Sequence, residues 1–329
     1  MTATQPQIVV LDGYTTNPGD LSWDALRKLG QLTLHERTPV SEVVNRLAAA
    51  ELALTNKVSL TRDILQQLPK LRYIGILATG TNAVDLDAAQ ERGIVVCNVP
   101  RYSTDAVAQL VFEALLDAVT QAQRHRIAVA AGAWERAPDF CFNVTTIREL
   151  AGKTLGIVGF GTIGRKVAQI ADAFGMNVLV AQSLNPGGAL TAAVANAETR
   201  VPLEALLQTA DFITLHCPLT EHTRGMIGAQ NLDLMKPGAI LINTARGPLV
   251  DELALAQALS RGRPAAAYLD VLSVEPPPAN HPLLHHPACK VTPHIAWTSQ
   301  EARRRLIEIS TNNVAAFLAG SPSNVVVAS

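Results

Sequence analysis

The chain carries almost no net charge: 27 Lys and Arg stand against 28 Asp and Glu, leaving −1 over 329 residues. Both signs are interspersed, so there is no basic field for nucleic acid and no polybasic membrane anchor. Cysteine is scarce as well. Cys97, Cys141, Cys217 and Cys289 are widely scattered and form no C-x-x-C pair, which argues against a disulfide framework and makes reduced, buried thiols the expectation. His281, His285 and His286 stand at helical spacing, but in a proline-punctuated segment with no cysteine or acid to complete a ligand set, so no metal site is expected. Long apolar runs are missing too. Residues 1–7 lack a basic n-region, and Ile8 to Leu11 is far too short for a signal core or a membrane span. The expectation is a soluble, cytoplasmic protein without internal repeats or low-complexity segments.

What is present is a chain long enough for two domains, with 48% hydrophobic residues to fill their cores. Its most informative stretch is LGIVGFGTIG, residues 155–164, followed by the helical pattern RKVAQIA. A strand-like apolar run meets three glycines spaced G-x-G-x-x-G and passes directly into a helix, the context that a dinucleotide fingerprint requires. Gly159 permits the sharp turn at the strand end, Gly161 lets the backbone approach a pyrophosphate, and Gly164 lets the new helix pack closely on the sheet. Thr162 and Ile163 open that helix, whose N-terminal N–H groups and partial positive charge favour phosphates. The next strand, residues 177–181, ends in Gln182-Ser183, where such a strand usually ends in an acid that binds the adenosine ribose. With no carboxylate to repel a 2′-phosphate NADP is admitted, although no arginine follows to hold it. The expected cofactor is therefore NAD(P), leaning towards NADP.

Taken in order, residues 8–11, 32–35, 52–55, 73–77 and 94–97 read as strands. Helices are expected at 23–30, ended by Gly30, and at 41–47, started by Ser41. Alternating strands and helices make this an α/β unit with a mainly parallel sheet. A long, nearly continuous helix is expected from Thr104 to about Ala131, with Val107, Leu110, Val111, Ala114, Leu115 and Ala118 on one apolar stripe. From Leu155 the alternation restarts, with strands at 155–158, 178–180, 212–215, 239–242, 265–269 and 290–292. That is a second doubly wound sheet. A last helix, Ser299 to about Ala319, offers Leu306, Ile309, Val314, Phe317 and Leu318 for burial. It is expected to cross back, giving a discontinuous smaller domain (1–99 and 298–329) and a dinucleotide-binding domain (100–297), with small ligands taken up between them.

Three positions just past strands carry the reactive groups. Arg246 follows an apolar strand and precedes Gly247-Pro248, a setting that suits a guanidinium fork gripping a carboxylate. Glu275 lies against three prolines, and Pro293 constrains His294. Two groups of complementary acid–base type in neighbouring loops point to proton transfer.

These motifs resemble the D-isomer-specific 2-hydroxyacid dehydrogenase family along essentially the whole chain: the fingerprint, His216-Cys217-Pro218-Leu219-Thr220, Asn243-Thr244-Ala245-Arg246-Gly247, Asp270-Val271 through Glu275-Pro276, and Thr292-Pro293-His294. LDGY at 11–14, LATGTN at 77–82 and PDFCF at 138–142 are similar to its glycerate dehydrogenase (hydroxypyruvate reductase) branch. The main departure is Gln182, where many members carry an acid. The resemblance implies a Rossmann domain beside a smaller flavodoxin-like substrate domain, and reduction of a small 2-keto acid, hydroxypyruvate or glyoxylate. It implies His294 as acid/base oriented by Glu275, with Arg246 on the substrate carboxylate. Backbone N–H groups at Ala78, Thr79 and Gly80 would hold the carboxylate's other side, and Thr81 and Ala83 nearby suit a small substrate. Asp270 is implied for the nicotinamide carboxamide and Thr104 for the nearer phosphate, while Cys217, Pro218, Thr223 and Thr244 complete the cofactor contacts. A homodimer is implied around the helix from Thr104, with Trp134 and Phe140 reaching the second copy. Glu275 argues against formate dehydrogenases, which pair the histidine with glutamine, and the chain's length against the longer phosphoglycerate dehydrogenases. The remaining alternative is a non-enzymatic, NAD(H)-sensing corepressor of the same fold.

Overall fold

The structure, a computed structural model, describes residues 5–184 and 200–327. It divides into two α/β units: the described residues up to Ser103 together with those from Trp297, and Thr104–Ala296.

In the first unit, β1 (Gln7–Val10), β2 (Gln31–Leu34), β3 (Leu52–Thr55), β4 (Tyr73–Ile76) and β5 (Val95–Cys97) alternate with short helices α1 (Asp24–Arg27), α2 (Val43–Leu47), α3 (Arg62–Gln66) and α4 (Leu86–Glu91). The parallel order β2-β1-β3-β4-β5 is that of flavodoxin-like sheets. β3 and β4 are buried at every position, which is why they read as unbroken apolar runs. Past the strand ends, the buried carboxylate of Asp12 accepts the N–H groups of Asn56 (2.7 Å), Lys57 (2.5 Å) and Val58 (3.0 Å), tying the chain beyond β1 to that beyond β3.

The second unit begins with α5 (Thr104–Thr120) and α6 (Ala122–Ala130), then β6 (Thr154–Val158), α7 (Thr162–Ala173), β7 (Asn177–Ala181) and β8 (Arg200–Val201). It continues through α8 (Leu203–Thr209), β9 (Phe212–Leu215), α9 (Ala229–Leu234), β10 (Ile240–Asn243), α10 (Glu252–Ser260), β11 (Ala266–Leu269) and β12 (Cys289–Val291). All neighbours are parallel, in the order β8-β7-β6-β9-β10-β11-β12. The chain runs outward from β6 to β8 and restarts at β9 on the other side. A crevice therefore lies at the carboxyl ends of β6 and β9, the topological switch point. One face of the sheet is covered by α5 and α7, with Val111, Leu115, Val167 and Ala171 buried against Leu155 and Ile157. The other is covered by α8, α9 and α10, through Leu206, Leu232 and Leu255 on Ile213 and Leu241.

The chain then returns to the first unit as α11 (Gln300–Leu318), capped by Ser299, and β13 (Val325–Val327), antiparallel to β5. No described helix is long and apolar enough to cross a membrane.

Several local expectations fail for identifiable reasons. The nearly continuous helix from Thr104 is interrupted once: Gln121 adopts a left-handed conformation (φ 45°, ψ 40°) that ends α5, and α6 beyond it buries no residue. Its apolar stripe therefore stops where packing stops. The helix expected over 23–30 shrinks to the four residues of α1. Ser41 starts nothing, because a 3-10 turn at Val40–Glu42 precedes α2 and its cap makes no side-chain bond. Cys97 and Cys289 are buried, but Cys217 is half-buried and Cys141 exposed. β8 and β13 carry too few residues to show a period.

The buried face of α11 is more polar than its apolar spacing suggests. Leu306 and Val314 are buried, but Leu318 is exposed and Ile309 and Phe317 only half-buried. Arg303, Ser310, Thr311 and Asn313 are buried with them. Arg303 grips Asp20 through two 2.7 Å bonds and also donates to the Thr298 carbonyl. Asn313 donates to the Asn98 carbonyl and accepts from Asn324.

The Arg303 hydrogen bonds hold the Asp20 carboxyl down to about 2, from an ordinary 3.8. A depressed carboxyl contributes stability above its unfolded value and loses it as pH falls through its folded one. The melting-temperature gap between wild type and Asp20→Asn should be full near neutrality and close as pH drops from about 4 to about 2; a gap that is independent of pH would show the ion pair to be inert.

Candidate active site

The fingerprint glycines do three different jobs. Gly159 has φ 96°, and a Cβ there would lie 2.4 Å from the Cys217 nitrogen, so only glycine lets the end of β6 touch the chain leaving β9. At Gly164 a Cβ would stand 2.2 Å from the Gly159 carbonyl oxygen. Gly161, just before α7, faces open space, with nothing within 4 Å of a built Cβ. That bare backbone at a helix N-terminus is a cradle of the kind a pyrophosphate occupies.

Around it lies a cavity of about 250 Å³. Of the residues expected to hold the cofactor, it brings together Gly159, Gly161, Gln182, Ser183, Cys217, Pro218 and Thr223. Thr162, Ile163 and Gly164 form the first turn of α7 behind it. Thr104 opens α5, where the neighbouring Asp105 pairs with Lys166 of α7 at 3.2 Å. No arginine follows Gln182 at the strand end, but Arg165 of α7 and Arg200 of β8 both line the same cavity. Each guanidinium carbon lies 5.8 Å from the Phe160 ring centroid. Arg200 escaped the sequence reading because it comes 18 positions after Gln182, and only the pairing of β7 with β8 (Gln182 N–H to the Val201 carbonyl, 2.9 Å) draws it in. Burial pushes His216 at the cavity wall down to about 3, leaving a neutral imidazole whose Nε2 meets the Thr214 hydroxyl at 3.0 Å. Burial likewise pushes the Cys217 thiol up to about 11, making it a poor nucleophile.

Thr244 and Asp270 line a second, smaller cavity of about 110 Å³ under α5, with Leu110, Tyr268, Lys290 and Thr292. The buried Thr244 hydroxyl has no partner within the described residues, an orphan that a bound polar group would satisfy. The open cradle at Gly161 and this orphan both fit a dinucleotide laid across the strand ends.

Beside them stands an acid–imidazole pair. The Nδ1 atom of His294 lies 2.6 Å from Oε2 of Glu275, and Oε1 of Glu275 accepts the Leu272 N–H at 3.0 Å. His294 is held at φ 55°, a conformation that costs a non-glycine residue free energy. Asp270 holds the turn in place. Its carbonyl accepts the His294 N–H (2.9 Å), and its buried carboxylate accepts the Thr292 hydroxyl (2.6 Å) and the N–H groups of Ile295 and Ala296 (2.8 Å each). Burial raises the carboxyl pKa of Asp270, and these donors work against the rise. With Nδ1 engaged, Nε2 of His294 has no partner among the described residues.

Arg246 is half-buried and donates to its neighbour's carbonyl, Ala245 O, at 2.7 Å. Asn243, whose importance the sequence reading missed, clamps that loop by donating to the Arg246 carbonyl and accepting the Ala245 N–H. Gly247 then lies on the Leu272–Ser273 backbone, where a Cβ would sit 2.0 Å from Leu272 C. The loop of Arg246 thus adjoins the loop of Glu275. Ala78, Thr79 and Gly80 belong to the first unit, where Thr79 donates its hydroxyl to the Val99 carbonyl and receives the Asn98 amide.

Gly161 and Gly164 give opposite expectations. Gly161→Ala should leave the melting temperature nearly unchanged and weaken NAD(P)H binding by at least about tenfold (~1.4 kcal/mol). Gly164→Ala should lower the melting temperature itself. Fluorescence titration and thermal unfolding check both, and unweakened binding in Gly161→Ala would mean that the cradle holds no phosphate.

Comparison with known proteins shows the family. Residues 112–296 match the model of the D-isomer specific 2-hydroxyacid dehydrogenase, NAD binding domain. A hydroxypyruvate reductase of Blautia hydrogenotrophica is 43% identical, covering 97% of this chain and 99% of its own length. A glycerate dehydrogenase of Methylorubrum extorquens is also 43% identical, over 87% of this chain and 88% of its own. In structure, an NADPH-dependent glyoxylate/hydroxypyruvate reductase of Sinorhizobium meliloti, in complex with NADP and malonate, superposes with a TM-score of 0.81 at 26% identity, covering 98% of this chain and 97% of that one. The two parallel α/β units, the dinucleotide cradle and these likenesses place the chain in the D-isomer-specific 2-hydroxyacid dehydrogenase family, among the nicotinamide-dependent oxidoreductases.

Proposed function

We propose that this protein reduces a small 2-keto acid to its D-2-hydroxy acid, hydroxypyruvate to D-glycerate foremost and glyoxylate beside it. The observation that carries the reading is the 2.6 Å bond between Glu275 and His294. The bound nicotinamide supplies the hydride that the carbonyl carbon takes up. His294 gives a proton from Nε2 to the carbonyl oxygen, and Glu275 on Nδ1 orients the ring. Arg246 grips the substrate carboxylate bidentately and polarises the carbonyl. With the cofactor bound, Thr104 would hold its nearer phosphate and Asp270 its nicotinamide carboxamide, besides clamping the His294 turn. The names of the two 43%-identical relatives support the choice of substrate.

NADPH is the preferred donor in this reading. Gln182 offers no carboxylate against a 2′-phosphate, and Arg165 and Arg200 line the same cavity with guanidinium groups suited to one. A cytoplasmic homodimer completes the proposal. Trp134 (53% exposed), Phe140 (90%) and Ile147 (51%) leave a run of apolar side chains uncovered beyond α6, which a second copy would bury. Light scattering should therefore return about twice 35.0 kDa; a monomer mass would remove the dimer.

The deciding assay is a panel of keto acids followed with NADH and NADPH in parallel. Hydroxypyruvate with NADPH should give the highest kcat/KM, and Arg200→Ala should raise the KM for NADPH and leave that for NADH unchanged. His294→Ala should lower turnover by roughly 10²–10⁴ with cofactor binding kept. Full turnover in His294→Ala would end the mechanism, and a strong NADH preference would end the cofactor assignment.

A further inference from the structure

Behind the pair Glu275–His294 stands a second acid–imidazole pair that the mechanism leaves unused. Glu252, the first residue of α10, is only 15% exposed at its side chain and His281 only 8%. Oε2 of Glu252 lies 3.1 Å from His281 Nε2, and Oε1 accepts the Ser273 N–H at 2.7 Å. His281 Nδ1 accepts the Leu283 N–H at 3.3 Å, so the ring proton sits on Nε2 and is donated to Glu252. Glu252 does not serve as the helix cap, because Asp251 already accepts from Leu253 and Ala254. Taking a carboxylate and an imidazole out of water is costly, and an apolar pair of like volume would often be as stable. What this pair does hold is a particular stretch of backbone.

That stretch is Leu272–Ser273. Gly247, next to Arg246, lies flat on it, and Glu252 grips its Ser273 N–H. The Leu272 N–H in turn fixes Oε1 of Glu275, whose Oε2 meets His294. A continuous chain of hydrogen bonds thus runs from His281 through Glu252 and the Leu272–Ser273 backbone to the carboxylate of Glu275. We propose that Glu252 and His281 are positioning residues for the reduction: together they hold the 272–275 loop so that Glu275 points its carboxylate at His294. The inference rests on the reading of His294 as proton donor.

The test compares Glu252→Ala, Glu252→Gln, His281→Gln and Glu275→Gln by the pH profile of keto-acid reduction, the KM for cofactor and the melting temperature. Losing the carboxylate in Glu275→Gln should move the alkaline fall-off of turnover to lower pH, because the imidazolium loses its partner. Glu252→Ala and His281→Gln should move it the same way and lower kcat roughly ten- to a hundredfold with KM for cofactor unchanged. Glu252→Gln keeps an acceptor for the Ser273 N–H and should recover much of the loss. Should Glu252→Ala not fold, His281→Gln carries the comparison with the glutamate in place. A fall-off that moves in Glu275→Gln but stays put in folded Glu252→Ala and His281→Gln overturns the positioning role alone. A fall-off unmoved even in Glu275→Gln overturns the His294 reading and this proposal with it.

Discussion

The second unit depends on one close approach, that of the Gly159 backbone to the Cys217 nitrogen, with no room for a side chain between them. It lets β6 and β9 lie side by side in a sheet whose chain order reverses between them. Every parallel strand then delivers its carboxyl end to the same edge, and the groups carrying the proposed chemistry follow those ends: the cradle after β6, Arg246 after β10, Asp270 after β11 and His294 after β12.

Loops leaving strand ends are not stiff by themselves, and buried polar side chains stiffen these. Asn243 folds the Arg246 loop on itself, Asp270 binds three donors of the His294 turn with its carboxylate, and Glu252 holds the backbone next to Glu275. The left-handed backbone at His294 persists because the hydrogen bonds to Asp270 over-determine it. The first unit uses the same device. Asp12 gathers three N–H groups beyond β3, and Arg303 and Asn313 bind loop carbonyls from the buried face of α11.

Much of this was legible because it is local. β3, β4 and β9 are short apolar runs buried at every position, and such runs can be read without knowing their neighbours. The strand, the three glycines and the helix that follow one another from Thr154 to Ala173 are contiguous, so their chemistry shows in one glance at the sequence. Glu275 and His294 stood out by their prolines. Asn243, Glu252 and Arg200 did not, since each acts on backbone or cavity whose nearness no spacing rule announces. α11 misled for a related reason: its partners include loop carbonyls, so a count of apolar residues undervalued Arg303 and Asn313.

The sequence by itself determined the two parallel sheets, the dinucleotide cradle and the kinds of group available for acid–base work, because these follow from burial period, glycine geometry and side-chain chemistry along contiguous residues. Only the tertiary structure decided that Arg165 and Arg200 share a cavity with Gln182, that α5 ends at Gln121, and that an imidazole and a carboxylate 19 residues apart meet at 2.6 Å. Those outcomes turn on which strands pair and which loops are clamped, and that is settled by long-range packing rather than by any stretch of chain alone.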